Sequence, residues 1–90
     1  MEAHHLVVHG RVQGVNFRSA TRQTARRHGV TGWVRNRADG AVEAWLEGTP
    51  DAVESVRAWI ETGGPPAGEV DHVEVDRMEP EGFEAFEVRR

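Results

Sequence analysis

Cysteine and lysine are both missing from this chain of 90 residues. Without cysteine there is no disulfide framework, no thiolate nucleophile and no zinc–thiolate site. Without lysine there is no Schiff-base amine and no P-loop lysine, and every positive charge except the amino terminus is an arginine. Long apolar runs are absent as well: nowhere do about 18 apolar residues follow one another, so no membrane partner is expected. The opening MEAHHLVVHGRV has neither the charged start nor the apolar run of roughly 7–15 residues found in a secretory signal. The expectation is a soluble, cytoplasmic, monomeric protein with one domain over residues 1–90. A chain of this size still buries about 60% of its unfolded surface, enough for a single core.

The charge that is present is unevenly placed. The formal total is −4, yet residues 1–37 carry seven arginines against Glu2 alone, and residues 38–90 carry four against fourteen acids. Two readings follow: the first part receives an anion, or the two parts neutralise each other by arginine–carboxylate pairs. A nucleic-acid partner is not expected, because that affinity rests on a basic face and this chain is acidic overall. A compact anion suits it better than a polymer.

Leu6-Val7-Val8, followed by Val12, reads as a short buried strand that ends in the stretch Gly10 to Gly14. Helix formers run from Phe17 to His28, with Ala20, Thr24, Ala25 and His28 at helical spacing and Gly29 as a C-terminal stop. Trp33 to Arg37 and Ala41 to Glu47 read as strands around an Ala38-Asp39-Gly40 turn. In the second of these, Val42, Ala44 and Leu46 share a covered face, while Glu43, Trp45 and Glu47 share a face expected to be mostly wet. Thr49-Pro50-Asp51 starts a second helix, whose stripe of Ala52, Val53, Val56, Trp59 and Ile60 faces a core and which ends near Thr62. After a Gly- and Pro-rich loop, Val70, Val73 and Val75 mark a fourth strand with imperfect alternation, and Phe83, Phe86 and Val88 suggest a short terminal one. This order predicts an α+β, ferredoxin-like βαββαβ sandwich: an antiparallel sheet with both helices on one face and the first and third strands in the middle.

Chemistry concentrates in GRVQGVNFR, Gly10 to Arg18. Two glycines let the backbone curl so that amide hydrogens point inward, next to the positive start of a helix, which makes a cradle for a phosphate-sized anion. Arg18 adds a planar fork of donors that lysine could not supply. The plain alternative is a glycine-assisted change of direction. Near the end of the next strand, Asn36 offers a carboxamide that accepts from a water and donates to an anionic oxygen, or else merely caps the Asp39-Gly40 turn.

The motif VHGRVQGVNFR, Val8 to Arg18, followed by GWVRNRADGAVEAWLEG, Gly32 to Gly48, resembles the two signature regions of the acylphosphatase family in sequence, spacing and order. The likeness runs over nearly the whole chain and thins after Gly63. It implies hydrolysis of a small-molecule acyl phosphate at the carboxyl–phosphate bond, yielding a carboxylate and inorganic phosphate, with no metal and no cofactor. It also implies a phosphate-binding loop made by the amides of Gln13, Gly14, Val15, Asn16, Phe17 and Arg18, a phosphate held by Arg18, and an attacking water positioned by Asn36. Asn16 and Ala20 depart from the residues more familiar at those positions, which bears on substrate shape and packing and not on the reaction.

Other residues have ordinary readings. His4 and His5 are strand neighbours that point to opposite faces, so they do not share a metal. His9 could tune the anion site or simply find a strand partner, and His28 complements a helix C-terminus. Glu43 and Glu47 read as solvated, and Trp33 and Trp45 as sheet residues at a rim. Arg22, Arg26 and Arg27 read as a wet helix surface paired with the acidic half, or as a source of positive potential. The competing function is a non-catalytic module of the same fold that binds a small phosphate ligand; it would need Gly10, Gly14 and Arg18 but not Asn36. An RNA-binding sheet would need exposed aromatics and a basic face, and here Trp45 stands among glutamates.

Overall fold

Strand alternation and helix caps resolve into seven elements in the computed structural model, which describes residues 1–90. They are β1 (Glu2–Arg11), α1 (Phe17–Arg27), β2 (Thr31–Asn36), β3 (Val42–Gly48), α2 (Pro50–Glu61), β4 (Glu69–Met78) and β5 (Phe86–Arg89). The sheet order is β4-β1-β3-β2-β5, so β1 and β3 are central as expected. The fold is the ferredoxin-like α+β sandwich, with both helices packed over the face that carries Leu6, Val8, Val34, Val42, Ala44 and Leu46.

α2 begins as its sequence requires: the Thr49 hydroxyl accepts from the Ala52 amide at 3.3 Å and Pro50 takes the first helical position. In α1 the buried residues are Phe17, Thr21, Thr24 and Ala25. The two threonine hydroxyls are satisfied by donating to the carbonyls of Phe17 and Ala20, at 2.7 and 2.9 Å, which lets them face the core. His28 drops out of the expected stripe because the helix stops at Arg27; His28 is the exposed C-cap, followed by Gly29 at a φ of 72°. The imperfect alternation of β4 also has a cause. Between His9 and Gly10 the β1–β4 register skips Asp71, a bulge that moves Val70 back onto the inward face with Val73 and Val75.

The fifth strand differs from a wholly antiparallel sheet. β1 and β2 both run antiparallel to β3, while β4 runs antiparallel to β1 and finishes where β2 starts. A connection that crosses along that end therefore delivers β5 parallel to β2, and β5 pairs so, from Gly32↔Phe86 to Arg35↔Arg89. Four strand intervals span about 19 Å. A seven-residue link reaches about 25 Å, so residues 79–85 must cross almost directly.

That crossing overturns the wet-face expectation for β3. Glu47 is 2% exposed and Trp45 6%. The Glu47 carboxylate accepts from the Trp45 indole at 3.0 Å, from the amides of Gly82 and Phe83 at 3.1 and 3.2 Å, and from the amide of Glu81. The Phe83 ring packs edge-on to Trp45, and the Arg89 guanidinium lies over both Trp33 and Phe83. Glu43 is half-buried and held by His5 at 2.5 Å and Arg35 at 2.6 Å. Neither glutamate is a solvated surface residue: they and the tryptophans form the surface on which the β4–β5 connection lies.

Burial opposes the ionisation of Glu47, but the amides of residues 81–83 and the indole outweigh it and hold its carboxyl below the ordinary value of 4.5. A depressed folded value means that its stabilisation is present above about pH 4.5 and is lost as pH falls through the folded value. Glu47→Gln is expected to lower stability by about 1.5–3 kcal/mol at neutral pH. Urea-unfolding curves of the two proteins should then converge as the pH is lowered below 4.5 and through the folded value. Equal stability at neutral pH would show that this carboxylate does not hold the crossing segment.

Candidate active site

Chain direction determines where functional groups can meet. β1, β2 and β5 all end on the side of the sheet where α1 begins, which brings together the loop after Arg11, Asn36 and the carboxyl end of β5. Just before the loop, within the last pairs of β1 with β4, stands Gly10, whose φ is 133° and where a Cβ would collide with the Glu69 carbonyl; no other residue fits this close approach. Gly14 and Asn16 then take left-handed conformations, with φ of 75° and 67°. Asparagine is one of the few residues with a Cβ that adopts this region readily.

Asn16 stands at the N-cap of α1, yet its side chain makes no capping hydrogen bond. The first helical bond is from the Ala20 amide to the Asn16 carbonyl at 3.1 Å, so the amides of Phe17, Arg18 and Ser19 have no acceptor in the turn before them. The amides of Gln13, Gly14, Val15 and Asn16 likewise donate to nothing within the protein. The loop and the helix start thus form one continuous series of free N–H donors at the positive end of the helix dipole.

Gly14, Asn16, Phe17, Arg18 and Asn36 line one cavity of about 320 Å³. That volume sits at the low end of small-ligand pockets, roughly 300–1,000 Å³, and suits a metabolite better than a polymer. No carboxylate lines it. Arg18 is half-buried and forms no ion pair; Nη1 donates to the Arg89 carbonyl at 3.3 Å, which orients the fork and leaves its other donors free. Phe17 is buried beneath the cavity, with its ring against Trp59 and the Gly64 backbone, and so anchors the helix start. Asn36 shares the inward face of β2 with Val34 and its carboxamide has no partner in the protein. The turn-capping alternative for it is met by another residue: Asp39 Oδ1 accepts from the Ala41 amide at 3.1 Å.

The side chains of Gln13 and Val15 leave the cavity, although their amides belong to the loop. Val15 packs on the core. Gln13 Nε2 donates to the carbonyls of Arg37 and Ala41, at 2.8 and 2.9 Å, and so ties the loop to the hairpin that carries Asn36. Nothing in the sequence marks this tie, because it spans 24 residues. His9 takes its ordinary reading: Nε2 contacts Glu74 at 2.6 Å and its ring stacks on His72. His9, His72 and Glu74 form the one cluster with metal-ligand chemistry, with donor atoms within 4.8 Å of one another, and none of them lines the cavity.

The acylphosphatase family profile matches residues 4–88. The chain belongs to the acylphosphatase family. An acylphosphatase from Natronomonas pharaonis is 51% identical over 86 residues, covering 96% of this chain and 92% of its own. One from Trichormus variabilis is 54% identical over 86 residues, covering 96% and 84%. The crystal structure of the Bacillus subtilis acylphosphatase superposes with a TM-score of 0.95 at 34% identity, covering both chains completely.

The arginines of residues 1–37 are only partly paired with acids. Arg35 pairs with Glu43 and Arg37 with Asp39, but Arg11, Arg18, Arg22, Arg26 and Arg27 pair with no carboxylate. The expected pairing of the α1 arginines with the acidic half does not occur. The acids instead lie along β4, in the crossing segment and on α2.

The conformation of Asn16 makes the acylphosphatase loop sensitive to side-chain shape. Asn16→Gly should leave stability nearly unchanged, whereas Asn16→Val should lower it by about 1–2 kcal/mol. If the loop binds phosphate, the valine variant should also gain less in melting temperature than the unaltered protein when inorganic phosphate is added. A valine variant with unaltered melting temperature and unaltered phosphate protection would contradict the left-handed loop.

Proposed function

We propose that this protein hydrolyses acyl phosphates at the P–O bond to the acyl oxygen, without a metal, with Arg18 and the loop amides holding the phosphoryl group and Asn36 positioning water. The observation that carries the reading is a single cavity, free of carboxylates, in which unpartnered amides, an arginine fork and an unpartnered carboxamide meet. The fork and the amides suit the three terminal oxygens of a phosphoryl dianion, whose charge spreads over them in a loose transition state. Asn36, across the cavity from the α1 start, accepts from a water and donates to a phosphoryl oxygen, so that the water is held close to phosphorus.

The balance is simple. The water oxygen bonds to phosphorus, the bond from phosphorus to the acyl oxygen breaks, and its electron pair leaves with the carboxylate. Both water protons end on the phosphate product, so a dianionic acyl phosphate and water become a carboxylate and dihydrogen phosphate. The leaving carboxylate is stable at neutral pH and needs neither a general acid nor a Lewis acid. A phosphate monoester has a much poorer leaving group and would need such help. A module that only bound phosphate would have no use for the free carboxamide of Asn36.

Family membership, with relatives named as acylphosphatases at about half identity, supports the same reading. Release of phosphate from benzoyl phosphate, beside p-nitrophenyl phosphate and with or without EDTA, tests it. Turnover of the acyl phosphate alone, unaffected by the chelator, is expected. Arg18→Lys should lose about 100–1,000-fold in kcat/KM, because it keeps the charge but not the forked geometry. Near-normal hydrolysis by a folded Arg18→Lys protein would overturn the assignment. Asn36→Ala should lower kcat by about 100-fold or more with little change in inhibition by inorganic phosphate, since a positioned water matters chiefly in the transition state. Loss of phosphate inhibition with kcat preserved would move Asn36 into the phosphate-binding set.

A further inference from the structure

The cavity contains a second cation that the proposed reaction does not use. Arg22 lies four residues beyond Arg18 on α1, so its side chain follows the same face one turn, about 5.4 Å, deeper. It lines the cavity, is half-buried and forms no ion pair. Its Nε is fully buried and has no hydrogen-bond partner. A buried guanidinium donor left unpaired is an unfavourable arrangement that folded proteins seldom retain without a ligand to complete it.

The phosphoryl group does not need this arginine. It is matched by the loop amides at the start of α1 and by Arg18, and Arg22 is a turn further from that pole. The departing carboxylate does not need it either, since that anion is stable unaided. That leaves the remainder of the acyl group, which shares the cavity with Arg22, as the part of such a substrate for this guanidinium to meet. We infer that Arg22 is a subsite for a second anionic group on the substrate, so that the preferred substrates are acyl phosphates whose acyl chain ends in a carboxylate or another anion. This rests on the acyl phosphate reading above. A neutral acyl chain would take water from the terminal nitrogens of the Arg22 guanidinium, whose Nε the protein already leaves unpaired, and give that charge no partner. An anionic chain would satisfy it. Sites built to hydrogen-bond a substrate group discriminate strongly against analogues that lack the group.

Succinyl phosphate and butanoyl phosphate carry acyl chains of equal length and differ at the end, carboxylate against methyl, and the methylene phosphonates of the same two acyl groups report binding without turnover. In the wild-type protein kcat/KM should favour succinyl phosphate by about tenfold or more, chiefly through KM, and the carboxylate-tailed phosphonate should bind correspondingly tighter. Arg22→Gln should remove most of that ratio, and Arg22→Lys should restore part of it. Turnover of both substrates with the same ratio in wild type and Arg22→Gln would overturn the subsite and leave the hydrolase reading intact. If neither substrate were hydrolysed, yet the carboxylate-tailed phosphonate still bound tighter and Arg22→Gln closed the gap, the hydrolase reading would fail and the anion subsite would stand.

Discussion

Hydrogen-bond donors that the protein does not satisfy are the constraint on which the site depends. A helix start normally has its orphan amides met by a side-chain cap. Here the N-cap residue is Asn16, a good capping type, but its left-handed backbone turns the side chain away from that role. The amides of the loop before it are free as well. The result is a concentrated positive pole, beside an arginine with no counter-charge, in a cavity without a carboxylate. Water solvates these groups when no ligand is present. On the proposed reading a phosphoryl dianion, with three oxygens and two negative charges, replaces that water with charge-assisted bonds in a site already arranged for it.

The remainder of the fold keeps those donors pointing one way. The close approach of Gly10 to the Glu69 backbone of β4 fixes the end of β1 from which the loop departs. Phe17, buried against Trp59 and Gly64, fixes the first turn of α1. Gln13 fastens the loop to the β2–β3 hairpin and thereby sets the distance between the amides and Asn36. β5, present only because residues 79–85 cross the open face, supplies the Arg89 carbonyl that orients Arg18. Glu47, far along the chain from the loop and at the other end of the sheet, therefore supports the site indirectly by holding that crossing segment.

Local features of the fold could be read from the residues alone. The Thr49-Pro50 helix start, the Asp39-Gly40 turn, the apolar stripe of α2 and the central placement of β1 and β3 all depend on short-range chemistry or simple topology. The loop from Gly10 to Arg18 was recognisable because glycine spacing and a following helix are local signals, whereas its meeting with Asn36 came from the family resemblance alone. Long-range features were not legible. The burial of Glu47 and Trp45 depends on a segment more than thirty residues later, and alternation alone made that face look wet. The spacing of Val70, Val73 and Val75 concealed a bulge that exists only relative to β1. Arg22 was one of three arginines beyond Arg18 on a helix, and its orphaned Nε and its place in the cavity lining separate it from Arg26 and Arg27, which are exposed.

The central claim is that the amides of residues 13–18 and the Arg18 fork bind a phosphoryl group. Titrating inorganic phosphate into the isotopically labelled protein while recording backbone and arginine N–H resonances tests it directly. The largest saturable shifts should fall on the amides from Gln13 to Arg18 and on the Arg18 side chain. A titration that leaves these resonances in place while moving those around the other surface groove, at Glu2, Arg57 and Arg77, would contradict the account.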